Sequence, residues 1–343
     1  NGKGSTLSFI RTIMEFSGYK VHSYTSPHLT RFNERIRLAG KEITDEEIFY
    51  YGEICRKACH NQPITFFEGT TALAFLAFAN VSADIVLLET GMGGRLDATN
   101  LIEAPFLSII TPIDLDHVEY LVDKNKYPNP SYDDLLLAIA REKAEIIKQN
   151  IPSISSWQHQ IVQKELQKKC SIMNSPFFSY RQNDWQTDSK NYSLSNSYLF
   201  SSNHFGQVSR LELKPSLIGI HQIVNSSTAA FAGLFLAANG FSKVSHNNIS
   251  YGISKTYWPA RLEQIKSGVL YNLLNNDSEL WLDGAHNNAG SQMLAASIDQ
   301  MSYKPLYLIH GRTANKDISG FLSYFNPNIV RFICCMTVES EPL

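Results

Sequence analysis

The pattern of apolar residues predicts an amphipathic helix close to the start of the sequence. Between residues 5 and 18, large apolar side chains recur at helical spacing, and Gly18 is a typical helix terminator. The apolar positions are Leu7, Phe9, Ile10, Ile13, Met14 and Phe16. A short strand is predicted over residues 20–25, so the sequence opens with a helix followed by a strand.

Strands and helices then alternate through the first half of the sequence. The apolar runs at residues 84–89 and 106–111 each predict a buried strand. Helices are predicted to begin at the capping sequence Thr44-Asp45-Glu46-Glu47 and to cover residues 70–79 and 135–148. This alternation predicts an α/β domain built on a parallel sheet.

The pattern changes twice in the second half of the sequence. Residues 175–215 are rich in Ser, Asn and Tyr and alternate weakly, which predicts a small antiparallel sheet. A helix is predicted over residues 221–239, ended by Gly240. A second α/β pattern follows Trp258-Pro259-Ala260-Arg261, with strands at 280–282 and 305–309 around a helix at 288–301. The four residues 258–261 are therefore the predicted linker between two domains.

Length and composition narrow the classes of protein that fit this pattern. The chain has 343 residues, enough for two domains, and 43% of them are hydrophobic. Lys and Arg against Asp and Glu give 30 − 32 = −2, which argues against a strongly basic nucleic-acid-binding protein. The apolar runs are too short to span a membrane. Five cysteines without a Cys-x-x-Cys motif favour a reducing compartment, so we expect a cytoplasmic protein.

The sequence Asn1-Gly2-Lys3-Gly4-Ser5, at the start of the first helix, has the composition of a phosphate-binding loop. Glycines let backbone N–H groups approach phosphate oxygens, and the helix N-terminus adds a positive potential. The Lys3 ammonium can reach the terminal phosphates, and the Ser5 hydroxyl can bind Mg²⁺. A glycine turn before an ordinary helix is the alternative interpretation of this segment.

Two polar side chains follow the two predicted strands and form a candidate metal site. Glu89 ends the first strand, and His117 lies in Leu115-Asp116-His117, 117 − 89 = 28 residues further along. If the strands are parallel neighbours, both side chains lie at one edge of the sheet, where α/β enzymes bind ligands. A carboxylate beside a histidine is a plausible pair of divalent-metal ligands. Taken alone, His117 is more often an ordinary polar residue.

Three further segments carry candidate chemistry. Gly91-Met92-Gly93-Gly94-Arg95-Leu96-Asp97 is a glycine-rich loop with one Arg and one Asp. Lys143, in Arg141-Glu142-Lys143-Ala144, has on physical grounds the character of a charged helix face. In Asp283-Gly284-Ala285-His286-Asn287, Asp283 can accept a hydrogen bond from a ribose hydroxyl and His286 can face the phosphates. The alternative for this segment is a helix start capped by Asn287.

These segments stand in the order found in the folylpolyglutamate synthase/dihydrofolate synthase family of the Mur ligase superfamily, which the chain resembles over nearly its whole length. The run at residues 89–100, ETGMGGRLDATN, is highly specific to that family, whereas the phosphate loop is shared by all Mur ligases. The resemblance is carried further by residues 25–29, 66–68, 115–117, 141–144, 221–222, 258–262, 283–287 and 316–317.

The resemblance implies a fold and a set of site residues. The fold is α/β, with a P-loop-type parallel-sheet ATPase domain over residues 1–257 that carries a small antiparallel sheet. A smaller Rossmann-like domain covers residues 262–343. The residues that match ATP-binding positions are Asn1, Gly2, Lys3, Gly4, Ser5, Asn225, Arg261 and Asp283. Those that match the pterin and substrate side are Ser26, Phe66, Phe67, Arg95, Leu96 and Asp97.

The resemblance also implies metal ions and catalytic groups. Ser5, Glu89 and His117 would hold one Mg²⁺. Lys143 matches the family's carbamylated lysine, whose carbamate helps to hold a second Mg²⁺. His286 matches a histidine near the transferred phosphoryl group, so the implied catalytic residues are Lys3, Lys143 and His286.

The implied activity is ATP-dependent addition of L-glutamate to dihydropteroate or a reduced folate by an enzyme that is usually monomeric. The alternatives are another Mur-type amino-acid ligase, or a P-loop switch protein without ligase chemistry. The Leu96-Asp97-Ala98-Thr99-Asn100 run and residues 25–29 argue against the first. The second glycine-turn site at residues 283–287 argues against the second.

The sequence departs from the family pattern in several places. Asn288 stands where the family usually has Pro, and Ala260 replaces a usual Gly. Residues 122–134 have the character of an insertion after Leu121 that would alter the metal-site loop. The sequence begins inside the phosphate-loop motif and its second domain is short, so we expect both ends to be truncated.

Overall fold

The structure is a computed structural model. It describes residues 1–60, 62–116, 118–123, 129–181, 184–189, 196–206, 208–275, 277–301, 305–313, 318–326 and 330–338. His117 and the pair at residues 316–317, which belong to the motifs above, lie outside the described residues, as do residues 124–128 of the proposed insertion.

The first sheet has four strands and follows the first helix. Helix α1 (Lys3–Phe16) ends before Gly18, as predicted, and leads to β1 (Val21–Tyr24). The sheet order is β3-β2-β1-β4, with β2 (Ile36–Leu38) and β3 (Lys41–Glu42) antiparallel to their neighbours. Strand β4 (Ile85–Leu88) is parallel to β1, with Val21 opposite Ile85.

Two helices cover this sheet, and both begin at capping boxes. Helix α2 (Asp45–Ala58) begins after Thr44, whose side chain accepts a hydrogen bond from the Glu47 N–H. Helix α3 (Phe66–Asn80) begins four residues before its predicted start, because Thr65 and Glu68 form a second capping box. Apolar periodicity marks the buried side of a helix but not its first turn, which is why the prediction began late.

A second sheet is entirely parallel. Strands β5 (Ser108–Ile110), β6 (Ser153–Ser155) and β7 (Phe177–Ser179) pair in that order. The helices that connect and cover them are α4 (Val118–Leu121), α5 (Tyr132–Ala144) and α6 (Gln160–Ile172). Helix α5 begins after the N-cap Ser131 and ends four residues before its predicted end.

The predicted antiparallel sheet is confirmed for residues 185–213, whereas residues 177–179 of the same predicted region form β7 of the parallel sheet. Its strands are β8 (Trp185–Asp188), β9 (Tyr198–Ser202) and β10 (Ser209–Leu213), in the order β10-β9-β8. Their inward side chains join the largest apolar core, in which the Trp185 ring stacks on Phe231 at 4.4 Å. Residues 190–195, part of the predicted alternation, lie outside the described residues.

Three helices form the centre of this core. Helix α7 (His221–Ala238) and helix α8 (His246–Lys255) both pack on α1. Gly252 of α8 lies against the backbone of Ile13, and a Cβ at residue 252 would lie 2.7 Å from the Ile13 Cα. A glycine at this crossing therefore lets the two helices approach closely.

We expect Gly252→Ala to lower the free energy of unfolding by about 1–3 kcal/mol, because backbone atoms must move to admit the methyl group. Urea denaturation followed by circular dichroism measures the change. Gly52→Ala is the matched control, since its Cβ would meet Leu73 at an ordinary 3.6 Å. Equal stability of both variants would show that the α1–α8 crossing tolerates a side chain.

The last third of the chain is also α/β. Strands β11 (Glu263–Ile265) and β12 (Leu280–Leu282) are antiparallel, and β13 (Leu306–Thr313) and β14 (Val330–Val338) are parallel. Helices α9 (Asn288–Asp299) and α10 (Ile318–Leu322) pack with them around Leu262, Leu294 and Phe321. The predicted α/β class, with parallel strands and a small antiparallel sheet, is confirmed. The division into two domains at residues 258–261 stays a prediction.

One expectation about the parallel strands is wrong. The sequence predicted that β4 is buried, and the candidate metal site assumed that β4 and β5 are parallel neighbours, but within the described ranges β4 pairs only with β1 and β5 only with β6. A cavity of about 850 Å³, lined mainly by apolar side chains, lies between them, so Val86 is 45% exposed. The apolar pattern identified both strands correctly, but it carries no information about which strands pair.

Candidate active site

The phosphate loop adopts a conformation that requires its glycines. Gly2 has φ +79° and caps α1, and a Cβ there would lie 2.4 Å from Asn225 Oδ1. A Cβ at Gly4 would lie 2.9 Å from the Trp258 ring. The loop is therefore enclosed between α7 and the predicted linker, with the first N–H groups of α1 available to an anion. Trp258 was part of a sequence motif, but its packing role was not predicted.

Glu89 lies at the carboxyl end of β4, as predicted, and is buried. Its Oε2 accepts a hydrogen bond from the Ser26 N–H at 3.2 Å. Burial raises the pKa of this carboxyl group, while the positive charge of Lys3 opposes the rise. The structure thus places a carboxylate beside the lysine of the phosphate loop, which is the environment a phosphate-bound cation needs.

Lys143 shares this environment, contrary to its appearance as a charged surface residue. Together with Asn1, Lys3 and Glu89 it lines the polar end of the cavity between β4 and β5. Burial and the nearby charge of Lys3 lower the pKa of Lys143 to about 8, although Asp116 and Asp97 oppose the shift. A lysine in such surroundings has a reactive, partly neutral amine.

The glycine-rich loop is tied to the same region. Asp97 accepts hydrogen bonds from the Met92 N–H and from Thr99, so its carboxylate organises the loop itself. Arg95 forms an ion pair with Glu142 at 3.0 Å, on the helix that carries Lys143. Leu96 is 80% exposed at the tip of the loop. Arg95 and Asp97 therefore fix the loop, and Leu96 is the member free to contact a ligand.

The two adjacent phenylalanines have different surroundings. The Phe67 ring packs beneath the glycine-rich loop, where a Cβ at Gly91 would lie 2.5 Å from it. Phe66 is 53% exposed, so it is the ring available for stacking. Arg35 and His28 form a cluster beside Phe66 that the sequence did not predict. The Arg35 guanidinium lies 5.3 Å from the centroid of the Phe66 ring, and Arg35 Nε donates a hydrogen bond to His28 Nδ1 at 2.8 Å.

The segment after β12 reaches the phosphate loop. Asn287 Nδ2 donates to Asp116 Oδ2 at 2.9 Å and to Asn1 Oδ1 at 3.3 Å, while Asn287 Oδ1 caps helix α9. His286 is exposed, with its Nε2 3.9 Å from Asp116 Oδ2. Asn287 was interpreted only as a cap, so its bridging contact is a finding of the structure.

Asp283 and Arg261 occupy the same junction. The Asp283 carboxylate accepts hydrogen bonds from the N–H groups of Leu262 and Ala285, and burial raises its pKa. The charge of Arg261 opposes the rise in the pKa of Glu89 and Asp283, and it adds to the effect of burial in lowering the pKa of His221. The nucleotide-binding positions implied by the family resemblance therefore lie around one region.

The metal site is described only in part, because His117 lies outside the described residues. Within the described ranges, no group of three His, Cys, Asp or Glu side chains is arranged to hold a metal ion. The Thr6 hydroxyl, next to Ser5, is buried and has no hydrogen-bond partner among the described residues. Hydroxyl and carboxylate oxygens are the donors that Mg²⁺ prefers, so the Ser5 and Glu89 side chains fit this ion.

No helix in the described ranges is both long enough and apolar enough to cross a membrane.

Comparisons with known proteins were made with the whole chain. No protein-family model matches it. It is similar to the dihydrofolate synthase/folylpolyglutamate synthase of Escherichia coli K12, with 30% identity over 339 residues that cover 97% of this chain and 70% of that protein. The protein of the same name from Bacillus subtilis 168 is 32% identical over 323 residues, covering 88% of this chain and 66% of the relative. The chain thus spans about two thirds of their length.

Solved structures give the same result. E. coli FolC in complex with DHPP and ADP superposes with a TM-score of 0.80 and 26% identity, covering 99% of this chain and 78% of that one. A bifunctional folylpolyglutamate synthase/dihydrofolate synthase with Mn, AMPPNP and L-glutamate bound has a TM-score of 0.79 and 25% identity, covering 99% and 74%. The fold is therefore shared with these proteins.

Proposed function

Because the chain belongs to the dihydrofolate synthase/folylpolyglutamate synthase family, we propose that it is an ATP-dependent ligase that joins L-glutamate to dihydropteroate or a reduced folate. One observation carries the proposal: Lys3, Glu89 and Lys143 line one end of a single cavity beside the glycine-rich loop. Relatives with ADP, DHPP, AMPPNP, Mn and L-glutamate bound support the same choice of substrates.

The reaction needs an activated carboxylate, because the oxide of a free carboxylate is a poor leaving group. In the first step, a carboxylate oxygen of the pterin substrate attacks the γ-phosphorus of ATP, the β–γ bridging P–O bond breaks, and ADP leaves. The glutamate amine then attacks the acyl phosphate, a C–N bond forms, and phosphate leaves as the amine loses a proton. Lys3 stabilises negative charge during phosphoryl transfer, and the N–H groups of α1 orient the phosphates.

The proposed nucleotide and metal contacts follow the site geometry. Ser5, Glu89 and His117 would hold one Mg²⁺, and a carbamylated Lys143 would help to hold a second. Bound Mg²⁺ neutralises phosphate charge during transfer. Gly2, Gly4, Asn225, Arg261 and Asp283 would complete the ATP site with Asn1 and Lys3. His286 would lie near the transferred phosphoryl group, because the neighbouring Asn287 contacts Asn1 of the phosphate loop and His286 itself is exposed beside Asp116.

The pterin side of the site is proposed around Phe66. Its exposed ring offers a flat surface for a pterin or aminobenzoyl group. The Arg35 guanidinium lies 5.3 Å from the ring centroid and helps to hold the ring in place. Ser26 connects this region to Glu89 through its N–H. Phe67, Arg95 and Asp97 act by holding the glycine-rich loop, and Leu96 contacts the substrate.

Water must be excluded from the acyl phosphate, which would otherwise hydrolyse. The contacts of Asn287 with Asn1 and Asp116 already bring the 283–287 segment to the phosphate loop. We propose that residues 1–257 and 262–343 are two domains that close over the substrates. We also propose a monomeric enzyme with two Mg²⁺ ions that works in the cytoplasm, where the free thiols of Cys55, Cys59 and Cys170 stay reduced.

The substrate class is tested with the full-length enzyme, ATP, Mg²⁺ and glutamate. We expect dihydropteroate or tetrahydrofolate to yield a product heavier by one glutamyl unit, with one ADP released for each amide formed; mass spectrometry and a coupled ADP assay measure these. A UDP-linked muramyl peptide is the comparison substrate. Turnover of that peptide alone would assign the chain to a different Mur-type activity, and nucleotide binding without any turnover would indicate a switch protein.

A further inference from the structure

The first half of α7 carries buried polar side chains, and three of them form a row. Gln222 is fully buried and Asn225 is 3% exposed, whereas small and apolar residues fill the helix from residue 229 onward. Buried amides need hydrogen-bond partners. Asn225 Nδ2 donates to Gln222 Oε1 at 2.9 Å, and Gln222 Nε2 donates to His221 Nε2 at 3.1 Å. The three side chains therefore form one hydrogen-bonded row.

The hydrogen bonds of the row run in one direction. Because the Gln222 Nε2 donates, His221 Nε2 accepts and a neutral imidazole carries its proton on Nδ1, which has no hydrogen-bond partner among the described residues. Burial and the charge of Arg261 lower the pKa of His221 to about 4, which keeps the ring neutral. With Gln222 held this way, Asn225 gives its N–H to Gln222 and its Oδ1 faces Gly2 of the phosphate loop.

A reversed row would present different chemistry to the loop. If Gln222 rotated by 180° about its amide, Asn225 would have to rotate with it to avoid two facing donors. Asn225 would then turn its NH₂ group toward Gly2, where an oxygen stands now. The atom of Asn225 that faces the phosphate loop is therefore set by the two residues behind it.

We propose that Gln222, oriented by His221, is a positioning residue for the nucleotide site, because it holds the Asn225 amide in the orientation that faces the phosphate loop. This inference rests on the proposed function, since it assumes that Asn225 contacts nucleotide. Residues 221–222 belong to the sequence motifs that carry the family resemblance, but the resemblance gives them no role. The inference assigns a role to both residues. Gln222 itself acts through Asn225.

Gln222→Met tests the proposal, because methionine keeps the volume of glutamine and removes both hydrogen bonds. With the full-length enzyme, we expect the Kd for ADP and the KM for ATP to rise about tenfold. The KM for glutamate should stay within about twofold, a split that general destabilisation would not produce. Gln163→Met is the matched control, since Gln163 is also a buried helical glutamine but lies on α6.

A second pair of variants tests the row without changing Gln222. His221→Phe removes the acceptor of Gln222, and His221→Gln supplies an acceptor again. We expect weaker ADP binding in the first variant and recovery in the second, measured by calorimetry. ADP binding equal to wild type in both Gln222→Met and His221→Phe overturns the inference. If the unaltered enzyme fails to bind ADP, the proposed function itself fails, which is a different result.

Discussion

Lys143→Arg is expected to lower ligase activity by about 1000-fold or more, because arginine keeps a fixed positive charge that cannot be converted. We predict that the Lys143 amine captures CO₂: a C–N bond forms, one proton leaves, and the product is a carbamate anion. The site favours loss of the ammonium form, since burial and then the charge of Lys3 lower the pKa of Lys143. A carbamate would instead be attracted to Lys3.

The pKa of Lys143 sets the conditions for this reaction. A pKa of about 8 leaves about a quarter of the amine neutral at pH 7.5, against about 0.1% for an ordinary lysine. Lowering the pH protonates the amine, so at equal concentrations of dissolved CO₂ we expect decarbonated enzyme to be reactivated more slowly at pH 6.5 than at pH 8.5. Carbon-13 NMR in labelled bicarbonate should show a carbamate resonance that is missing from Lys143→Arg.

Two variants make the Lys143 prediction specific. Lys143→Ala should be nearly inactive, and acetate should partly restore its activity by supplying a carboxylate in the space left by the side chain. Lys164→Arg on α6 is the control, because Lys164 is exposed and should retain full activity. Full activity of Lys143→Arg would return Lys143 to the role of an ordinary charged residue on a helix.

Glu89→Gln is expected to reduce kcat/KM by about 1000-fold while leaving the fold intact. The amide keeps the shape of the side chain and an oxygen that can accept from the Ser26 N–H, so the end of β4 should remain in place. It removes the negative charge beside Lys3, and with it a ligand for the metal that neutralises phosphate charge. Amide formation and Mn²⁺ binding, followed by electron paramagnetic resonance, should both be lost.

The control for Glu89→Gln is the same change at Glu165. This residue lies on α6, and its carboxylate forms an ion pair with Arg141 of α5. Glu165→Gln should keep its turnover and its Mn²⁺ affinity. A thermal midpoint of Glu89→Gln within a few degrees of wild type would show that the loss is chemical. Wild-type turnover in this variant would remove Glu89 from the proposed site.

Local sequence patterns identified most helices and strands because their causes are local. The spacing of Leu7, Ile10 and Ile13 follows the buried side of α1, and the capping box after Thr44 fixes the start of α2. Glu89 was placed correctly at a strand end for the same reason. The order of strands in the sheets depends on contacts between distant segments, so the sequence could not show whether β4 and β5 are neighbours, and they do not pair.

The chemistry of the site depended still more on distant contacts. Physical reasoning from the sequence gave Lys143 no role, and only the family resemblance did, because its neighbour Lys3 lies 140 residues away. The same limit applies to Phe66 and Phe67, which have the same side chain but face different surroundings. The orientation of Asn225 is invisible in sequence, since it follows from a chain of hydrogen-bond donors and acceptors in the folded protein.

Strands β4 and β5 each turn one edge toward the cavity between them. The backbone donors and acceptors along these two edges pair with no strand of the described ranges. Open edges are normally short, charged or covered at the rim of a sheet, because they recruit extended segments from other molecules. Here they lie in the interior, against an apolar lining. An extended segment that entered this cavity would meet unpaired backbone groups on both sides and an apolar lining for its side chains, so the interior of these residues, and not the rim of a sheet, is where a further strand would pair.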